Sequence, residues 1–208
     1  MERIDFYLHK FYYIIPGGMY GIFSAMIRIY SDFIAIFLYP GYDPRIDMIS
    51  FLGSGPGHMY FNLGLFFSAL FLIPYYLSFA RIFKNEFPES EKMIHRSLQV
   101  SIISAISVSL VGIFLGLYNI FPISLIYDFH GFFATIAFMC AVYSCGITGS
   151  LIKKSKRFPQ FFAYMCYIVA AVNLVFLFTW HALIEWIASY LLIIMQLSFA
   201  VYMLYKKL

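Results

Sequence analysis

The chain has 208 residues, with 14 Lys and Arg, 10 Asp and Glu, and 5 His, and a formal net charge of +4. Charged residues make up 12% and hydrophobic residues 62%, with a mean hydropathy of +0.82, whereas a water-soluble domain carries about 25% charge. This balance excludes a soluble enzyme, a nucleic-acid binder and a disordered tail, and it defines an integral membrane protein.

A spanning helix needs about 20 mostly apolar residues. Six such stretches follow in chain order, at about 13–38, 60–83, 97–119, 129–152, 159–181 and 185–205. We therefore expect an all-α, integral membrane six-helix bundle forming one multi-pass domain. The first stretch is preceded by Glu2, Arg3, Asp5 and Lys10 and has no small-residue cleavage site before Tyr39. It reads as a retained span rather than a signal peptide, interrupted at Pro16-Gly17-Gly18.

The first loop, 39–59, holds Pro40, Gly41, Pro44, Gly53, Gly55, Pro56 and Gly57, which forbid a continuous helix. Ile46, Met48, Ile49, Phe51 and Leu52 make it too apolar for a free loop, so a short interfacial segment is expected. Gly53–Gly57 lacks the Lys-Ser/Thr that follows a phosphate-binding loop and reads as turn chemistry. Loop 84–96 is a charged, solvated connection, and the KKSKR run at 153–157 is an ordinary stop-transfer flank. Many tyrosines sit at span ends (Tyr12, Tyr39, Tyr60, Tyr118, Tyr127, Tyr205), as interfacial belts require. Cys140, Cys145 and Cys166 fall inside predicted helices and read as small buried hydrophobes.

Twelve of the fourteen basic residues lie at the N-terminus, in loops 84–96 and 153–157 with their flanks, or at the C-terminus. Of the others, Arg45 lies in the first loop and Arg28 inside a span. The positive-inside rule then puts both termini in the cytoplasm. Asp32, Asp43, Asp47, Asp128, Glu185, His58, His130 and His181 all fall in the outer half, so any site is expected there.

Charged groups within a bilayer are expensive and are functional candidates. Arg28 and Asp32, at i and i+4, share a helix face and can pair. The pair is either structural or holds Arg28 ready for a lipid phosphate or carboxylate. Asp128 suits a helix N-terminus, which leaves His130 unexplained. His181 and Glu185 are again i, i+4, and His58 precedes Asn62 by one turn. These side chains suit a general acid/base pair or a network that locks helix ends together. No cofactor is expected; zinc is the metal whose donor types the set contains, although no HExxH spacing is present.

Three motifs resemble a known family. They are YPGYDPRIDMISFLGSGPGHMYFNLGL at 39–65, the D-x-H-G-x-x-A-T-x-x-F run at 128–138 followed by Tyr143, and ALIEWIA at 182–188. Together they resemble the Frag/DRAM/Sfk superfamily of six-span proteins, and most closely its prokaryotic domain-of-unknown-function family number nine-hundred-and-ninety-eight. That resemblance implies a prokaryotic cell membrane and picks out Pro44, Ile49, Ser50, Gly53, His130, Gly131, Ala134, Phe138, Glu185 and Trp186. Eukaryotic relatives include proteins that remodel the lipid of GPI anchors. The resulting expectation is a lipid-handling protein that binds or remodels a phospholipid or glycolipid. His130 would be the general base and Glu185 would orient it, with Arg28, Asp32, Ser50, His58, Asn62, Asp128, His181 and Trp186 around the ligand. The alternatives are a structural or scaffolding membrane protein with no catalytic activity, its partner another membrane protein or a further copy in a homo-oligomer, or a small transporter. The last lacks paired broken helices.

Overall fold

A computed structural model describes residues 15–208. The charged N-terminal residues Glu2–Lys10, and the start of the first predicted span, lie outside the described residues. Six long helices make up the described fold: α1 (Gly17–Phe37), α2 (His58–Glu86), α3 (Glu91–Ile120), α4 (Ser124–Lys154), α5 (Gln160–Thr179) and α6 (Ala182–Tyr205). Each is long and apolar enough to cross a membrane. A helix satisfies its own backbone polar groups, which hydrocarbon cannot do for it. The protein is thus an all-helical integral membrane protein.

Prolines set several boundaries. Pro16 and Pro159 occupy the N-cap positions of α1 and α5, and Pro122 lies between α3 and α4. Pro74 sits inside α2 without ending it. Helices α2, α3 and α4 have 29, 30 and 31 residues. At 1.5 Å per residue they run about 45 Å, beyond the roughly 30 Å hydrocarbon core. The excess turns of α3 and α4 begin earlier than the sequence pattern indicates. Asp128 consequently lies in the second turn of α4, where Ile123 is the N-cap, and it does not cap the helix as expected.

Each helix packs on its neighbours in chain order, and α6 returns to α1, closing a ring. The glycines read as an interruption in the first span make that closure. A Cβ at Gly18 would stand 2.5 Å from the Ala200 carbonyl oxygen, and one at Gly21 would stand 2.8 Å from both Ala200 Cβ and Tyr75. Small residues here let backbones approach, as they do between membrane helices generally.

Two apolar cores stand at opposite ends of the ring. At the basic end, Phe79, Phe83, Phe158, Phe162, Phe199 and Met203 pack together. There Glu86 accepts hydrogen bonds from the Ser155 hydroxyl and the Lys156 N–H, both at 2.7 Å, tying two loops. At the other end Ala35, Ile49, Leu52, Phe61, Leu65, Val111, Leu115 and Trp186 form the second core. Its centre is a 3-10 turn, Ile49–Gly53, with Ile49, Ser50, Leu52 and Gly53 buried. A cavity runs between the two cores.

Candidate functional site

The site starts from the first turn of α6, where Glu185 and Trp186 face inward. Glu185 is 5% exposed. Its Oε2 accepts the Ile49 N–H at 2.9 Å, and the Ser50 N–H and hydroxyl face the same carboxylate. The start of a 3-10 turn has unpaired N–H groups, and here a side chain 136 residues away supplies the acceptor. The neighbouring Trp186 donates its Nε1–H to the Tyr42 hydroxyl at 2.8 Å, and that hydroxyl donates to the Met48 carbonyl at 2.9 Å. Burial pushes the Tyr42 phenol well above its ordinary range. The E-W pair and the I-S pair, far apart in sequence, form one locked corner.

Arg28 comes in from α1. Its Nε lies 3.1 Å from Asp32 Oδ2, its Cζ lies 4.5 Å over the Phe61 ring, and it is close enough to Glu185 to act on it electrostatically. The Tyr190 hydroxyl faces the Asp32 carboxylate. Asp32 is fully buried, whereas Arg28 lines the cavity. Arg28 Nη1 is buried with no hydrogen-bond acceptor among the described residues. The guanidinium charge is thus already balanced, and what it offers is a donor.

His130 lies on the wall formed by α4, 6% exposed. Its ring packs on Tyr127 with centroids 5.1 Å apart, and neither ring nitrogen makes a well-formed hydrogen bond among the described residues. Arg28, Ser50, His130 and Glu185 line one end of the same cavity. No hydrogen bond or ion pair joins His130 to Glu185 among the described residues, because the carboxylate is turned to the 3-10 turn. The expected orientation of His130 by Glu185 is therefore not what the geometry provides.

The remaining candidates fall elsewhere. Asn62 is buried, and its Nδ2–H donates to the Gly53 carbonyl at 3.0 Å, a bond that Asn119 repeats at 2.7 Å. It supports the turn from below. His58 is half-buried as the first residue of α2, while Asp128 and His181 are exposed. His181 does not pair with Glu185 through its side chain. Its backbone carbonyl accepts the Glu185 N–H at 3.0 Å. Among the described residues no group of three His, Cys, Asp or Glu side chains comes together to hold a metal ion.

Below its polar end the cavity continues between α2, α3, α4 and α6 to Phe83, Ile94 and Leu151, with a volume of about 220 Å³. A row of hydroxyls lines it, on Ser97, Ser101, Ser104, Ser144 and Thr148. Sequence reasoning missed this row. Its signal was legible in Ser97, Ser101 and Ser104, spaced i, i+4, i+7 on one face of α3. Most of these hydroxyls are turned aside: Ser104 donates to the Ala137 carbonyl at 3.1 Å, Ser144 to the Ala141 carbonyl at 3.3 Å, and Ser97 pairs with Thr148 at 3.3 Å.

A closed ring of six spanning helices around an elongated cavity, polar at one end, defines a multi-pass membrane protein with an intramembrane cavity. The chain belongs to the family described as "Protein of unknown function (DUF998)", whose model matches residues 22–202. Neither the curated proteins nor the solved structures contain a match. The three family-like motifs converge at the cavity's polar end through Ser50, His130 and Glu185.

Proposed function

We propose that the protein is lipid-handling and that a membrane lipid occupies the cavity, head toward Arg28, Ser50, His130 and Glu185 and hydrocarbon toward Phe83 and Leu151. The observation that carries this reading is the gradient within one cavity. Arg28 Nη1 and the His130 ring, buried without well-formed hydrogen bonds, stand at one end, and mostly apolar walls, their hydroxyls largely bonded within the protein, continue toward the other. A ligand cavity is mostly apolar with a few placed polar groups, and a lipid has that same division.

In this reading the polar end lies at the outer leaflet and both termini are cytoplasmic, since the basic residues gather at the opposite end. The resemblance to the Frag/DRAM/Sfk superfamily, which includes lipid-remodelling proteins, supports the same ligand class. A prokaryotic cell membrane is the setting it implies. His130 is the group we assign to any proton transfer on the lipid head, since its ring lines the cavity and is held by no well-formed hydrogen bond. Glu185 positions the wall of the site rather than the histidine.

Native mass spectrometry of the full chain, purified in mild detergent, tests the proposal. We expect one lipid per chain, lost or exchanged in Arg28→Gln and His130→Ala. An apoprotein from every mild preparation, or lipid retention unchanged in both variants, refutes it. A second reading has one observation behind it. The bond from Ile49 to Glu185 is a structural lock, so Glu185→Ala is expected to lower stability whether or not lipid binds.

A further inference from the structure

We infer that the ligand is a single-chain lipid with an uncharged, oxygen-bearing head, such as a monoacylglycerol. This inference rests on the lipid-binding reading above and names its substrate class.

The width comes first. On α4 the cavity is lined from His130 to Leu151, a run of about 31 Å at 1.5 Å per residue. Spread over that length, about 220 Å³ leaves a mean cross-section of only about 7 Å² for atom centres. That is a single file of methylenes. Two acyl chains side by side do not fit without separating the helices.

The charge comes second. The polar end holds one guanidinium, Arg28, and two carboxyl groups, Asp32 and Glu185. Arg28 is already paired with Asp32, and Asp128 and His181 are exposed and lie away from the cavity. His130 and Ser50 complete the polar lining there, and the Tyr190 hydroxyl stands behind it against Asp32. No further cation faces the cavity among the described residues. A phosphate or ionised carboxylate would add negative charge to a buried cluster with no cation left to meet it, and burying an unpaired charge is strongly unfavourable.

The donors and acceptors come third. Arg28 Nη1 lacks an acceptor, and the His130 ring, with the Tyr127 carbonyl beside it, makes no well-formed hydrogen bond among the described residues. An imidazole in its neutral form offers one donor and one acceptor. A hydroxyl serves both, and an ester carbonyl accepts from the guanidinium. The hydroxyls along the tail region are mostly bonded to backbone or to each other, so they leave a wall that a hydrocarbon chain can follow.

The test uses the delipidated full chain and three probes that share one oleoyl tail: monoolein, its diacyl counterpart dioleoylglycerol, and the monoacyl phosphate lysophosphatidic acid. Native mass spectrometry is expected to show one monoolein per chain, bound at least about tenfold more tightly than either other probe. The variant Ala141→Leu, which fills the channel at mid-length, is expected to lose monoolein about tenfold and to keep the eight-carbon monooctanoin. Ser101→Leu, on the opposite wall, is the second variant if the first fails to fold. Dioleoylglycerol or the monoacyl phosphate binding as tightly as monoolein overturns the inference. So does monoolein binding that neither filled channel alters. Retention of a co-purified phospholipid with no monoolein binding sinks this inference alone, whereas failure to bind any probe or any co-purified lipid sinks the lipid-binding proposal as well.

Discussion

Removing the Glu185 carboxylate isolates the contact between α6 and the 3-10 turn. Glu185→Ala leaves the Ile49 N–H without its acceptor, and Ile49 is 4% exposed, so water cannot replace the bond. An unsatisfied buried donor costs about 1–3 kcal/mol, and a hydrogen bond to a charged group contributes about 1.5–3 kcal/mol. A loss of about 2–3 kcal/mol is therefore expected. For a chain of 150–250 residues each kcal/mol moves Tm by about 2–4 °C, so Tm should fall by about 4–12 °C. Glu185→Gln keeps a carbonyl oxygen in place and loses only the charge-assisted part, and its fall should be less than half as large. Thermal unfolding in detergent, followed by tryptophan fluorescence, reads this directly because Trp186 sits beside the altered bond. An unchanged Tm in Glu185→Ala refutes the reasoning, as does a Gln variant as damaged as the Ala variant.

Five further outcomes follow, four from particular positions in the fold and one from the threading. A Cβ at Gly57 would stand 2.6 Å from Ala35 Cα, and one at Gly112 would stand 2.6 Å from the Asn62 carbonyl oxygen. Either Gly→Ala change forces backbone apart and should cost about 1–3 kcal/mol by thermal unfolding. A Cβ at Gly131 meets nothing within 4 Å, so Gly131→Ala should be neutral or stabilise α4 by up to about 1 kcal/mol. Trp186→Phe and Tyr42→Phe each break the same 2.8 Å bond, so the double variant should be less destabilised than the two single losses added together. Outside the spans, hydrogen bonds from Arg45 hold the half-buried Asp43 carboxyl down to about 2. The pair's contribution is full above the ordinary carboxylate range and is lost as pH falls through about 2. In Arg45→Ala an NMR titration should find Asp43 back near its ordinary value. Cysteines placed at Asp43 and Lys92 should label from opposite sides of intact vesicles, and labelling from the same side refutes the threading.

Composition and periodicity were enough for the helices, since six apolar runs leave no other way to satisfy the backbone in a bilayer. They were less informative about ends. Charged residues such as Glu91 and Lys92 look like loop but form the first turn of α3, because a helix longer than the hydrocarbon core carries polar turns into the headgroup region. The site was half legible. The expense of burying charge marked Arg28, Asp32, His130 and Glu185 as candidates, and all four are buried. Spacing alone then suggested that His181 pairs with Glu185. It does not, because i, i+4 spacing gives only opportunity, while a buried carboxylate goes to an unpaired donor that the fold sets against it. For Glu185 that donor is the Ile49 N–H, which no local pattern connects to residue 185. Gly17 and Gly18 were read, with Pro16, as a break, because a sequence does not show what lies against them.

A mostly apolar cavity of this size depends on what fills it. At about 24 cal/mol per Å³ of unfilled cavity, about 220 Å³ would cost about 5 kcal/mol if empty. A typical folded chain has only about 5–15 kcal/mol in total. Stability should then depend on what fills the space. Stripping lipid from the protein should lower Tm, and restoring a bound lipid should raise it with concentration, as linkage requires. Ala141→Leu separates occupancy from simple destabilisation because its sign changes with the ligand. In the delipidated chain the added carbons occupy free volume, and Tm should rise or hold. In the presence of saturating lipid the variant should show little further rise, because the channel is already filled. A filled cavity that gains nothing from lipid and loses Tm on Ala141→Leu would mean that the space is absent in the folded protein.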